Sequence, residues 1–279
     1  MKTNLLLEVV RLSLSLSGRF LSPYGHLKSP HKFTQPQLMT CLVLRAYLKT
    51  TYRGVIDLLA ASQELRESIG LKRLPHYSTL KRFGDRSSVA EIADAMFAEI
   101  IKECAPPQEE MAVDSTGMQS TSASAYFQTR SGRKNSKYVK LSLAILCGSL
   151  FPCSLVVDWG PKTDRSEAPE VLEKAMEKVR PKKLYADAGY DADWIHAVCR
   201  EHWNVESFIP PSVTRKDGTI GGVYRPKMAE LPKSYGRRWH IESFMSGLKR
   251  TTGSALNARL PKAMFAEAAL RVIAYALRL

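Results

Sequence analysis

Three carboxylates stand where phosphoryl-transfer chemistry would need them. Asp114 closes the short apolar run that begins at Met111 and is followed by Ser115, Thr116 and Gly117, while Asp187 occupies the same place in LYADAGY, after a second apolar run. An acid at the carboxyl end of a strand is exposed at the sheet rim, where open α/β sheets form their sites. If the two strands are neighbours, their acids repel, and a divalent cation between them removes that cost. The third acid, Glu242, lies in SYGRRWHIESFMSGLKR, residues 234–250. On an α-helix this stretch places Tyr235, Arg238, Glu242 and Lys249 within about 60° of one another, a polar stripe beside an apolar one of Ile241, Phe244, Met245 and Leu248. Hard oxygen ligands select Mg²⁺ or Mn²⁺ over zinc. Two such ions about 4 Å apart would activate a water or hydroxyl and stabilise the leaving oxygen of an in-line transfer. Arg238 and Lys249 would then hold phosphates of the scissile strand.

Each acid has another reading when taken singly. Asp114 could be a turn residue, Asp187 could cap a helix or pair with a base, and Glu242 could form an i to i+4 pair with Arg238 on a surface helix. Asp191 and Asp193 compete with Asp187, although Asp193 fits a helix cap and Asp191 a turn. Asp158 and Asp164, in VVDWGPKTDR, also follow an apolar run and stand in reserve.

Charge points to the partner. The chain carries 41 Lys+Arg against 27 Asp+Glu, a net +14, which favours a polyanion, and nucleic acid is the usual one. Two basic stretches suit DNA backbone contacts. One is RSGRKNSKYVK after the first acid, with Arg130, Arg133, Lys134 and Lys137; the other lies between Pro210 and Lys233, with Arg215, Lys216, Arg225, Lys227 and Lys233, and fits a solvated connector equally well. Five scattered cysteines without a CxxC pair read as thiols of a reducing compartment. His196, Cys199 and His202 have helical spacing, but no second pair completes a zinc site. Glu8 and Arg11 interrupt the leucine-rich N-terminus, so it reads as a helix or an apolar lead-in rather than a secretory segment, and no stretch resembles a membrane span. A cytoplasmic, nucleoid-associated protein is expected.

Positioning such a site falls to two kinds of element. Thr34, Pro36 and Gln37 mark a helix start ahead of the apolar run from Leu38 to Leu48. Further helices are expected over 52–60, from Ser78 to Phe83, and over 91–103, all with short connections and basic ends; a helix-turn-helix-like DNA-binding unit and a simple helical bundle fit them equally. Pro106-Pro107 ends the helical half, giving domains 1–107 and 108–279. Strands follow over 111–114, 138–147 and 150–159, with a turn at Gly148-Ser149, then helix 167–179, strand 183–186, helix 193–202, strand 205–209 and a C-terminal amphipathic helix over 261–279. This interleaving argues a mixed α/β sheet flanked by helices, preceded by an all-helical domain.

The spacing of Tyr235, Arg238, Glu242 and Lys249 resembles the Tyr-Arg-Glu-Lys motif of insertion-sequence transposases of the DDE superfamily. VDSTG around Asp114 and YADAGYDAD around Asp187 are similar to that family's first two acidic motifs, and RGVIDLLA and LPHYSTLKRF to its N-terminal helical region. The resemblance implies an RNase H-like catalytic domain with a triad of Asp114, Asp187 and Glu242 holding two Mg²⁺ ions. It implies cleavage at transposon terminal inverted repeats followed by attack of the freed 3′-hydroxyls on target DNA, by a homodimer or higher assembly. Tyr235 and Arg238 are then expected at the transposon end and Lys249 on its phosphate. Asp187 and Glu242 are too close in sequence for a large inserted β domain. An RNase H-like nuclease without strand transfer, and a domesticated non-catalytic DNA-binding protein, are the alternatives.

Overall fold

The computed structural model describes residues 4–26, 28, 30–120, 138–212 and 218–279. The predicted DNA contacts Arg130, Arg133, Lys134 and Lys137, and Arg215 and Lys216 of the second basic stretch, lie outside the described residues. The chain divides into two compact units, neither continuous in sequence.

The first unit comprises Met1–Glu99, Gln119–Ser122 and Leu248–Arg278. The leucine-rich N-terminus is helix α1 (Leu5–Phe20), with Leu7, Val10 and Leu16 buried. Helix α2 (Gln35–Tyr47) starts at the capping box expected from sequence: the Gln37 amide donates to Thr34 Oγ1 at 3.3 Å, and the Thr34 amide donates to Gln37 Oε1 at 2.9 Å. Helices α3 (Tyr52–Ala61), α4 (Gln63–Ile69) and α5 (Tyr77–Gly84) follow, and Gly70, at φ 73°, takes the left-handed conformation that closes α4. The C-terminal helix α10 (Pro261–Ala276), which the linear reading attached to the second half, packs on α2 in this unit. A buried ionic array joins them: Glu267 faces Arg45 at 3.4 Å and Arg271 at 2.7 Å, and accepts from the amides of Asn257 and Ala258 at 3.1 and 2.8 Å.

The second unit, Ile100–Met118 and Ala123–Gly247 with Leu279, is built on a five-stranded sheet of order β3-β2-β1-β4-β5 among the described residues. Strands β1 (Glu110–Met118), β2 (Tyr138–Leu146) and β3 (Pro152–Gly160) form an antiparallel meander; β4 (Lys183–Tyr185) and β5 (Glu206–Phe208) extend it in parallel. Short parallel strands need crossovers, which helices supply. Helix α7 (Asp164–Met176) packs on β2 and β3, and α8 (Asp193–Ala197), continued by a π-helical turn Val198–His202, leads into β5. This is the mixed sheet with flanking helices and an N-terminal helical region expected from sequence. Two helices cross the unit boundary: α6 (Ser88–Cys104) after Glu99, and α9 (Trp239–Thr252) after Gly247.

Candidate active site

Strand register brings the first two acids together. In the parallel pair β1–β4, Ala112 stands opposite Tyr185, so Asp114 and Asp187 each lie two residues beyond the last paired residues of neighbouring strands, and the charge of Asp187 is felt at Asp114. The sequence predicts that Asp114 ends its strand; instead β1 continues to Met118, because its partner β2 is long while β4 stops at Tyr185. Asp114 is therefore at the rim only on its β4 side. Asp187 opens a 3₁₀ turn, Ala188–Tyr190, and its Oδ1 accepts from the Gly189 amide at 2.8 Å, while Asp114 Oδ1 accepts from the Ser115 amide at 2.7 Å. Burial pushes the Asp114 pKa up to about 6, the charges of Asp187 and Asp164 add to the rise, and the Ser115 amide and Arg238 oppose it.

The third acid arrives differently from the expected single helix. Residues Lys233–Arg238 form a 3₁₀ segment, and only from Trp239 does the chain become α-helical, so Tyr235 is not on the stripe that carries Glu242. The Tyr235 hydroxyl instead donates to the Ala186 carbonyl at 3.0 Å, tying this segment to the residue before Asp187. Arg238 pairs with Glu242 one turn on, as the surface-pair reading of that acid expects, and its guanidinium also lies 3.6 Å from Asp114 Oδ2. One cation thus neutralises both acids. Lys249, further along α9, falls in the first unit, where partial burial lowers its pKa.

Among the described residues no three His, Cys, Asp or Glu side chains are grouped to hold a metal ion. The donor chemistry nonetheless fits a hard divalent cation. Asp114 and Asp187 are adjacent carboxylates whose mutual repulsion is only partly relieved by Arg238, and Glu242 shares that arginine.

Beside the pair lies a buried network that residue spacing did not disclose. Lys140, near the start of β2, donates to Asp164 at 2.9 Å, Glu167 at 2.8 Å and the Lys162 carbonyl at 2.7 Å. It closes the stretch expected to touch DNA, yet it is 3% exposed and committed to these partners. Ser115 and Ser142 donate to Asp164 and Glu167, each at 2.5 Å. A Cβ at Gly189 would stand 2.7 Å from Asp164 Oδ2 and 2.9 Å from Asp187 Oδ1, so only glycine lets these two acids approach the turn. The Tyr190 hydroxyl is buried without a hydrogen-bond partner among the described residues, an arrangement that costs about 1–3 kcal/mol if left so. Burial raises its pKa well above the ordinary value, and Asp164, Asp114, Asp187 and Glu167 raise it further. The available sequence signals were a lysine inside an apolar strand and an aromatic next to the DAG turn.

The second basic stretch also serves structure more than its composition implied. Arg225 makes a two-pronged contact with buried Asp191, at 2.7 and 2.6 Å, and Ser212 donates to the same carboxylate through its amide and hydroxyl. Asp193 does not cap its own helix; it accepts from the amides of Val223, Tyr224 and Arg225. Lys227 lies over the Tyr224 ring at 5.3 Å.

A family model described as Transposase DDE domain matches residues 105–277. No curated protein matches the chain. Among solved structures the chain is similar to one described as the cryo-EM structure of a piggyBac transposase synaptic complex with hairpin DNA. The identity is 10% and the TM-score 0.47, over 96% of this chain and 72% of that one.

Proposed function

Because the chain belongs to the transposase DDE domain family, we propose that it cleaves transposon ends and joins their 3′-hydroxyls to target DNA by two-metal phosphoryl transfer. Asp114, Asp187 and Glu242 would hold the Mg²⁺ or Mn²⁺ ions. The observation that supports this reading is the β1–β4 register, whose last pair, Ala112 and Tyr185, lies two residues before each of the two acids. A divalent cation held by these carboxylates would supply Lewis acidity for phosphoryl transfer.

The chain's own residues have separable tasks in this scheme. Asp114 and Asp187 present fixed oxygens, oriented by the Ser115 and Gly189 amides. Tyr235 holds the helix start against the Asp187 strand end. Arg238 neutralises Asp114 and Glu242 when no DNA is bound; a phosphate of the DNA offers its guanidinium an alternative bidentate partner, which would release Glu242 towards the other two acids. Lys249 binds a phosphate of the transposon end, and Arg130, Arg133, Lys134 and Lys137 contact the backbone beside the cut. Two ends must be joined in one event, so the acting form is a dimer or higher assembly. No described helix is long and apolar enough to cross a membrane; a DNA substrate would put the reaction at the nucleoid.

The test is strand cleavage and joining on duplexes carrying the inverted repeats that bracket the gene, with supercoiled plasmid as target and Mg²⁺ or Mn²⁺ present. Nicks at both ends and joined products are expected, and Asp187→Asn should abolish both. Nicks without joining would favour a nuclease of the same fold. DNA binding with neither product would leave a non-catalytic role.

A further inference from the structure

Lys140, Asp164, Glu167 and Tyr190 adjoin the acid pair, and the reaction as proposed leaves them without a task. Asp164 is held by one oxygen only: Oδ1 accepts from Lys140 at 2.9 Å and from Ser115 at 2.5 Å. Its Oδ2 has no partner among the described residues and stands by the Gly189 turn together with Asp187 Oδ1. A free carboxylate oxygen beside two other carboxylates is repulsive, so packing alone does not explain its being anchored there. Tyr190 adds an independent sign. It is fully buried in the turn after Asp187, its hydroxyl lacks a partner among the described residues, and it feels the charges of Asp164, Asp114 and Asp187. A buried donor and a free acceptor beside one acid pair suit a hydrated cation. Mg²⁺ keeps several of its waters, and those waters need acceptors while the ligand carboxylates need orienting donors.

We propose that Asp164 and Tyr190 are positioning residues that complete the metal centre from outside its ligand set. Asp164 Oδ2 accepts from a water of the cation's hydration shell, and the Tyr190 hydroxyl, unpartnered among the described residues of the cation-free chain, donates at the Asp114–Asp187 pair only when the cation is held there. This rests on the metal-holding role proposed for those two acids. Lys140 is the anchor: its contacts with Glu167 and the Lys162 carbonyl remain if Asp164 is changed, so Asp164→Asn should fold.

Mn²⁺ alone is the probe, added to the full chain. Its affinity is read from the paramagnetic resonance signal of free Mn²⁺, and its effect on melting temperature is read against a chelator control. Wild type is expected to bind and Asp187→Asn to fail. Asp164→Asn should weaken binding about tenfold or more, in the range for partners outside the ligand set. Tyr190→Phe should melt no lower than wild type in chelator yet gain less from Mn²⁺. Wild-type affinity in both variants, with binding lost in Asp187→Asn, would overturn this inference and leave the metal site standing. A wild-type chain whose Mn²⁺ binding is absent, or indifferent to Asp187→Asn, overturns the metal site and this inference with it. The competing arrangement, Tyr190 satisfied by the orphaned Glu167 Oε1, predicts that Tyr190→Phe lowers the melting temperature equally with and without Mn²⁺.

Discussion

Replacing Glu267 by Gln would remove the anion that Arg45 and Arg271 share in the buried array joining α2 to α10. Its side chain is 6% exposed, and those of Arg45 and Arg271 are 5% each, so both arginines would keep their charge with little water to screen it. Taking one partner from a buried ionic pair costs about 3–5 kcal/mol, and the lower end applies here because Gln preserves volume and an acceptor for the Asn257 and Ala258 amides. Arg271 would retain the Gly253 and Ala255 carbonyls, each at 2.8 Å. A loss of about 3 kcal/mol corresponds to roughly 10 °C in melting temperature. The effect should depend on pH. Burial alone would raise the Glu267 pKa, but Arg45, Arg271 and the amides outweigh it and hold it below the ordinary 4.5. A depressed carboxyl stabilises the folded chain above its unfolded value and ceases to do so as pH falls through the lower folded one. Wild type and Glu267→Gln should therefore differ most near neutrality and converge in acid. Far-ultraviolet circular dichroism and amide exchange in α2 and α10 are the assays of choice, since all four tryptophans lie in the other unit. A loss under about 1 kcal/mol, or one that does not shrink in acid, would refute the reasoning.

Asp114→Asn, melted in chelator at pH 8, should be more stable than wild type by about 2–3 kcal/mol. The folded pKa of about 6 lies above the ordinary 3.8, so the penalty of ionisation is present above pH 6 and disappears as pH falls towards 4; equal stability at pH 8 would contradict this. Asp191→Asn leaves the Arg225 fork facing a neutral amide, and urea unfolding should show a loss of about 3 kcal/mol with faster proteolysis of residues 218–228. Tyr235→Phe deletes the 3.0 Å bond to the Ala186 carbonyl and should cost about 1 kcal/mol of stability. If that bond aligns Glu242 with Asp187, single-turnover cleavage of end duplexes should fall on the order of tenfold, and an unchanged rate would limit Tyr235 to a structural role.

Local patterns were legible without a structure because their causes lie within a few residues. The Thr34 capping box, the Pro106-Pro107 break and the switch from helical to strand periodicity each depend on neighbours along the chain, and the described elements follow them. Two acids, each after an apolar run, could likewise be read as candidates for one sheet edge. Their adjacency could not, because it depends on β1 pairing with β4 across more than sixty residues of sequence, most of them outside that pair. Neither could the fate of the basic residues. Lys140 and Arg225 have the composition of DNA contacts, but Asp164, Glu167 and Asp191 claim them inside the fold. The polar stripe of Tyr235 to Lys249 assumed one helix, whereas a 3₁₀ start turns Tyr235 towards the Ala186 carbonyl. Periodicity is set by the backbone of one segment and can be read from it. Which charge meets which is set by burial and by partners distant in sequence, and only the tertiary structure brings those together.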